Sequence, residues 1–114
     1  MTARTTRIQI PQGDFGYDIA FTCRDSQGSI INIAGYTIHF KVWTYEVPIT
    51  LLLDGIGGIT DAPNGKAYYT LAVGDFSLGG LVPAVGDYLC EMEATKVGER
   101  TSYQSATLEV TESG

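Results

Sequence analysis

The chain has little of the side-chain chemistry that most catalytic and metal sites need. Its 114 residues include one histidine and two cysteines. A catalytic triad or a multi-histidine metal site cannot be built around His39 alone. Cys23 and Cys90 each lack a second cysteine or histidine nearby, so no zinc motif is present. Because no nucleophile, base and orienting group can be assembled, we expect neither an enzyme nor a bound cofactor.

Basic residues are also scarce, with seven lysines and arginines against thirteen acids and a net charge of −6. Nucleic acid and anionic membranes are therefore not expected as partners. No apolar run approaches the roughly 20 residues that span a bilayer. The basic start, 1–7, is not followed by the apolar segment of a signal peptide. We therefore expect a cytosol-like compartment, where two buried thiols are favoured over a disulfide between Cys23 and Cys90.

What the chain does have is fourteen glycines, seven tyrosines and repeated alternation of apolar and polar residues. These features predict seven or eight short strands separated by tight turns. The predicted strands include 5–10, 17–24, 36–45, 49–53, 67–73, 88–97 and 102–110. Asn64-Gly65 predicts a two-residue hairpin turn, and 54–58 predicts a flexible connection. We predict one domain over 1–114, with frayed ends at about 1–4 and 111–114.

One short run indicates the fold. In Gly86-Asp87-Tyr88-Leu89-Cys90, a tyrosine stands two residues before a cysteine, at the start of an alternating strand. This spacing is typical of the tyrosine corner of immunoglobulin-like domains. Cys23 and Cys90 then occupy the two positions that a disulfide bridges in antibody domains. The prediction is an all-β fold, a single antiparallel immunoglobulin-like β-sandwich, with the Tyr88 hydroxyl bonded to backbone in the preceding loop.

Alternation also places some large side chains on the side opposite the core. Trp43 and Tyr68 are such residues, and His39 and Lys41 share the strand face of Trp43. This mixture of aromatic and polar groups is typical of protein interfaces. We expect docking or self-association through this face, burying Trp43. The alternative is that a bulge near Trp43 returns its side chain to the core.

A second interface candidate is the apolar loop that precedes Tyr88, represented by Phe76 and Leu78. Two interpretations are open for this loop. It either plugs the open end of the sandwich or presents its apolar side chains to a partner.

Several short motifs occur in a characteristic order along nearly the whole chain. They are Ile8-Gln9-Ile10-Pro11-Gln12-Gly13-Asp14, Ile19-Ala20-Phe21-Thr22-Cys23-Arg24-Asp25-Ser26-Gln27-Gly28, Ile33-Ala34-Gly35-Tyr36-Thr37-Ile38, Asn64-Gly65-Lys66-Ala67-Tyr68-Tyr69, Gly86-Asp87-Tyr88-Leu89-Cys90-Glu91 and Ala106-Thr107-Leu108-Glu109-Val110. In this order they resemble the N-terminal domain of phage baseplate upper proteins. Members of that family usually continue into domains that hold receptor-binding proteins, whereas this chain stops at Gly114, so its specific role stays open.

The resemblance implies a structural module of the phage virion, in the tail or baseplate region, assembled in the host cytoplasm. Its partners would be other virion proteins, and a small assembly protein of this kind is expected to form a homo-oligomer. Two alternatives remain. One is a capsid decoration or neck protein of the same fold. The other is a module for carbohydrate or another surface ligand, with Trp43 and Tyr68 as a stacking platform.

Overall fold

A computed structural model describes residues 7–25, 27–82, 84–96 and 99–112. Within these ranges the protein is all-β and forms eight strands. The strands are β1 (Arg7–Pro11), β2 (Asp18–Thr22), β3 (Thr37–Thr44), β4 (Leu51–Ile56), β5 (Gly58–Asp61), β6 (Lys66–Thr70), β7 (Gly86–Lys96) and β8 (Glu99–Thr111). They form a five-stranded sheet in the order β1-β8-β7-β3-β4 and a three-stranded sheet in the order β2-β6-β5.

The two sheets share one hydrophobic core. Strand β3 shows why, because Ile38, Phe40 and Val42 are buried while the residues between them are at least partly exposed. The Phe40 ring stacks on Tyr69 of the opposite sheet, with ring centroids 4.9 Å apart. Phe21 approaches the same Phe40 ring at 6.1 Å. Period-two alternation along each strand thus brings the apolar faces of the two sheets together.

The prediction of a purely antiparallel fold is wrong at one position. Strand β1 pairs with β8 in parallel, with Ile8 opposite Leu108 and Pro11 opposite Thr111. The two strands come from opposite ends of the chain, so no hairpin forces them to be antiparallel. The same pairing corrects the predicted frayed end, because Thr111 belongs to β8. Residues 1–4 and 113–114 lie outside the described ranges.

The glycine-rich segment 54–58 is not a flexible connection. It contains the end of β4 and the point where the chain crosses to the other sheet at β5. A side chain at Gly55 would collide with the Tyr69 ring, and one at Gly57 would collide with the Tyr68 carbonyl oxygen. These glycines are therefore explained by the close approach of neighbouring groups, which only a residue without Cβ allows.

The predicted hairpin at Asn64-Gly65 is present, but its turn differs from the expected type. Residues Ala62–Asn64 form a 3₁₀ turn between β5 and β6, and Gly65 follows with φ 67° and ψ 20°. Among the described residues, only glycines have positive φ, so Asn64 does not adopt the conformation of a two-residue type I′ turn. Pro63 favours the 3₁₀ turn because its ring fixes φ near −65°, and the connection is longer as a result.

Cys23 and Cys90 are buried and carry free thiols. Cys23 directly follows β2 and Cys90 lies in β7, so they are associated with opposite sheets. This confirms the predicted inward positions of both side chains. Burial raises the pKa of both thiols, that of Cys90 to about 12. We predict that thiol titration of denatured protein, prepared without oxidant, counts two free thiols.

The thiol pKa values predict a loss of stability in alkali. An unfolded cysteine releases its proton near the ordinary pKa of 9.0, whereas folded Cys90 keeps it up to about 12. The stabilisation is complete below about pH 9 and should fall between about pH 9 and 12, by about 1.4 kcal/mol per pH unit for this group. Urea unfolding across this range should show a shallower decline for Cys90→Ala than for the wild type. Equal slopes would contradict the assignment.

Candidate functional site

Trp43 lies on the outer face of the five-stranded sheet. A β-bulge interrupts the pairing of β3 with β4 between Val42 and Trp43. The bulge does not return Trp43 to the core, because the residue stays in register with Leu89 of β7. The side chain is half-buried and borders a shallow cavity of about 260 Å³ that Leu89 and Glu91 also line. The sequence-based placement of Trp43 away from the core is therefore confirmed.

Two pairs of polar and charged side chains lie on the same outer face. His39 Nδ1 lies 3.1 Å from the Asp54 carboxylate, and the Lys41 ammonium lies 3.3 Å from the Glu93 carboxylate. Both pairs join neighbouring strands, as expected for side chains directly or diagonally opposite each other. His39 and Lys41 therefore have partners within the fold, and the face around them is strongly polar.

Tyr68 does not share a face with Trp43. It lies on β6, in the other sheet, with its half-buried ring directed away from the core and over Gly58 of β5. Trp43 and Tyr68 are thus on opposite sides of the molecule, and the predicted common face is wrong. Alternation showed that both point outward, but it could not show that their strands belong to different sheets. A stacking platform made from these two rings is not possible.

Phe76 and Leu78 have different environments. Phe76 is buried, and its carbonyl accepts a hydrogen bond of 2.6 Å from the Gly13 backbone. Leu78, two residues later, is 85% exposed. Phe76 is therefore wrong as an interface candidate, because it closes the end of the core, as one of the two interpretations proposed. Leu78 remains available for contact with a partner.

The exposed apolar side chains are concentrated at one end of the molecule. Loops 12–17, 45–50 and 71–85, the last described except at residue 83, meet there. With Leu51 they define what we call the apolar end. Twelve large apolar residues are well exposed among the residues whose side chains are described, which are 7–25, 27–82, 84–96 and 105–112, and ten of them belong to this end. They are Phe15, Tyr17, Tyr45, Val47, Ile49, Leu51, Val73, Leu78, Leu81 and Val85. The other two, Ile30 and Ile56, lie outside it.

A cleft of about 750 Å³ opens at the apolar end, between loop 45–50 and the start of β7. Val47, which is 90% exposed, belongs to one wall, and Val85 belongs to the other. Tyr88 also lines the cleft and supports the second wall, because its hydroxyl donates a hydrogen bond of 2.7 Å to the Ala84 carbonyl. The predicted burial of the Tyr88 ring and the predicted bond from its hydroxyl to upstream backbone are both confirmed.

We expect Tyr88→Phe to lower the free energy of unfolding by about 1 kcal/mol, because the partly buried hydrogen bond to the Ala84 carbonyl would be lost. Thermal and urea unfolding would measure the change. Tyr45→Phe is a matched control, since Tyr45 lies at the same end but is 53% exposed. An unchanged midpoint for Tyr88→Phe would show that the corner bond does not stabilise the fold.

Sequence reasoning missed a buried polar contact beneath the apolar end. The Tyr69 hydroxyl donates a hydrogen bond of 2.5 Å to the Asp75 carboxylate, which also accepts the Ala72 backbone N–H at 2.9 Å. Asp75 is only 5% exposed. In the sequence it resembled an ordinary turn aspartate, and no motif distinguished it from the others. The contact anchors loop 71–85 to the three-stranded sheet.

The described residues contain no group of three or more histidine, cysteine or acidic side chains that could hold a metal ion. In the same residues, no helix is long and apolar enough to cross a membrane. No protein-family model matches this chain, and no curated protein matches it either.

Proposed function

We propose that this protein is a non-enzymatic structural component of a phage particle, in the tail or baseplate region, and that it works through protein–protein contacts. The observation that carries the contact role is the concentration of ten exposed apolar side chains at one end. Soluble domains that act alone rarely expose large apolar patches, and such patches mark interaction sites. The assignment to a phage particle, and to its tail or baseplate region, rests on the ordered sequence motifs.

The strand order supports an immunoglobulin-like fold as part of the proposal. Strands β8-β7-β3-β4 follow the order of the GFCC′ sheet of such domains, and β2-β6-β5 follow the order of the opposite BED strands. The Tyr88 corner at the start of β7 is a second feature of this fold. A sandwich whose loops are tied to its sheets suits an assembly role, because it presents a surface with little reorganisation on binding.

The test is the presence of the protein in purified particles. Mass spectrometry of density-purified virions from a host infected with the phage that encodes this chain should detect it at a fixed copy number. Separated tails should retain it, whereas retention by heads alone would favour the capsid decoration or neck alternative. Absence from washed particles, with abundant protein in the lysate, would contradict a structural role.

A further inference from the structure

We propose that the apolar end is the contact surface for a second copy of this chain, joined end to end about a two-fold axis. This inference rests on the proposed assembly function and identifies its first partner. In such an interface the same surface is contributed by both subunits. Loop 45–50 of one copy, with Val47 at its most exposed position, would face the cleft beside Val85 of the other.

The area of the apolar end is sufficient for a stable dimer. Exposed fractions at its ten apolar residues range from 41% to 90%. Aromatic side chains cover on the order of 150–250 Å² each and aliphatic ones less, so these fractions amount to roughly 1,000 Å² of side-chain surface. A typical specific interface buries roughly 800 Å² per partner. The apolar side chains alone therefore provide the area that one subunit contributes.

The rest of the described surface offers no comparable match. Outside the apolar end, the only well-exposed large apolar residues are Ile30 and Ile56, counted over the residues whose side chains are described, 7–25, 27–82, 84–96 and 105–112. The opposite end instead carries charged groups of both signs, among them Arg24, Lys66 and Asp25. A head-to-tail contact would therefore place the apolar end against polar loops and leave much of its surface unmatched. Contact between two apolar ends buries both surfaces at once.

The charges around the apolar end give this dimer a distinctive dependence on salt. Loops 12–17, 45–50 and 71–85 contain no lysine, arginine or histidine. Their acids are Asp14, Glu46 and the buried Asp75, and Asp87 lies beside the cleft. Of these acids, Asp87 is paired with a base, Arg7, which also contacts Glu109. Two such ends repel each other at low ionic strength, so added salt should strengthen the dimer by screening. A partner with a basic contact surface would show the opposite trend.

The experiment is sedimentation velocity of the purified full chain over a range of concentrations, at about 50 mM and about 500 mM NaCl. We expect a monomer–dimer equilibrium that shifts toward dimer in the higher salt. Val47→Asp and Leu78→Asp, each made separately at strongly exposed positions, should raise the dimer Kd by roughly tenfold or more. Ile30→Asp is the matched control at an exposed residue outside the apolar end, and it should dimerise as the wild type does. Thermal melting verifies that all variants are folded.

Two results would overturn the inference. The first is a wild-type monomer under all conditions. The second is an assembly that grows beyond a dimer. In that case a substitution at either end would block assembly, and mixing a variant of one end with a variant of the other would restore contact, which indicates head-to-tail packing. Neither result concerns the presence of the protein in virions, so failure of the dimer and failure of the proposed function can be told apart.

Discussion

Replacing Gly57 with alanine should lower the free energy of unfolding by about 3 kcal/mol, a large part of the 5–15 kcal/mol typical of a domain. The added methyl group would collide with the Tyr68 carbonyl oxygen and lie 3.0 Å from the Ile38 side chain. The Gly57 N–H also donates to the Ile38 carbonyl at 2.8 Å, which holds the residue close to β3. Because the obstacle is backbone, the crossing between the two sheets would have to move.

Gly58→Ala is the matched control for Gly57→Ala. Its methyl group would meet the Tyr68 hydroxyl at 2.5 Å, at the tip of an outward-facing side chain that can turn toward solvent. We expect a change within about 0.5 kcal/mol. Urea unfolding of both variants would measure the difference, and equal costs would show that the backbone obstruction at Gly57 is not the cause.

Asp75→Ala should lower the free energy of unfolding by about 3 kcal/mol, because the buried Tyr69 hydroxyl and the Ala72 N–H would lose their shared acceptor. Tyr69→Phe should cost about 2 kcal/mol, since it leaves a buried carboxylate with one donor fewer. Chemical denaturation of the two single variants and the double variant gives the coupling energy between the groups. We expect the double variant to cost clearly less than the sum of the single ones.

An exposed pair of the same chemistry provides the control. The Tyr17 hydroxyl donates to the Asp14 carboxylate at 3.2 Å, and Tyr17 is 41% exposed. Water replaces this contact when it is broken, so Tyr17→Phe should change stability by less than about 0.5 kcal/mol. If Tyr69→Phe costs no more than Tyr17→Phe, the buried bond does not contribute the stability assigned to it.

The Asp75 contact also bears on assembly. Loop 71–85 carries Val73, Leu78 and Leu81, which provide much of the exposed surface at the apolar end. Asp75 holds this loop through its backbone as well, because its carbonyl accepts the Val82 N–H at 2.8 Å. A surface that is ordered before binding loses less conformational entropy when a partner docks. The buried polar contact thus gives the exposed apolar surface a defined shape.

Much of the local structure could be predicted from the sequence. Alternation along β3 and β7 identified which apolar side chains form the core, since successive residues of a strand point to opposite faces. The spacing of Tyr88 before Cys90 predicted the corner contact with upstream backbone. The single histidine and the net negative charge limited the classes of function to be considered. These properties depend on one residue or on near neighbours in the chain.

Relations between distant segments were decided only by the tertiary structure. The alternation along their strands points both Trp43 and Tyr68 away from the core. Their strands belong to different sheets, however, so alternation could not show whether the two side chains share a face. The local sequence around Gly55 and Gly57 predicted a flexible connection. The groups that crowd these glycines, the Tyr69 ring and the Tyr68 carbonyl, belong to another strand and are not visible in that local pattern. The apolar end arises from three loops that are far apart in the chain. Sequence patterns report the direction of a side chain relative to its own strand, whereas packing of the two sheets determines what that side chain meets.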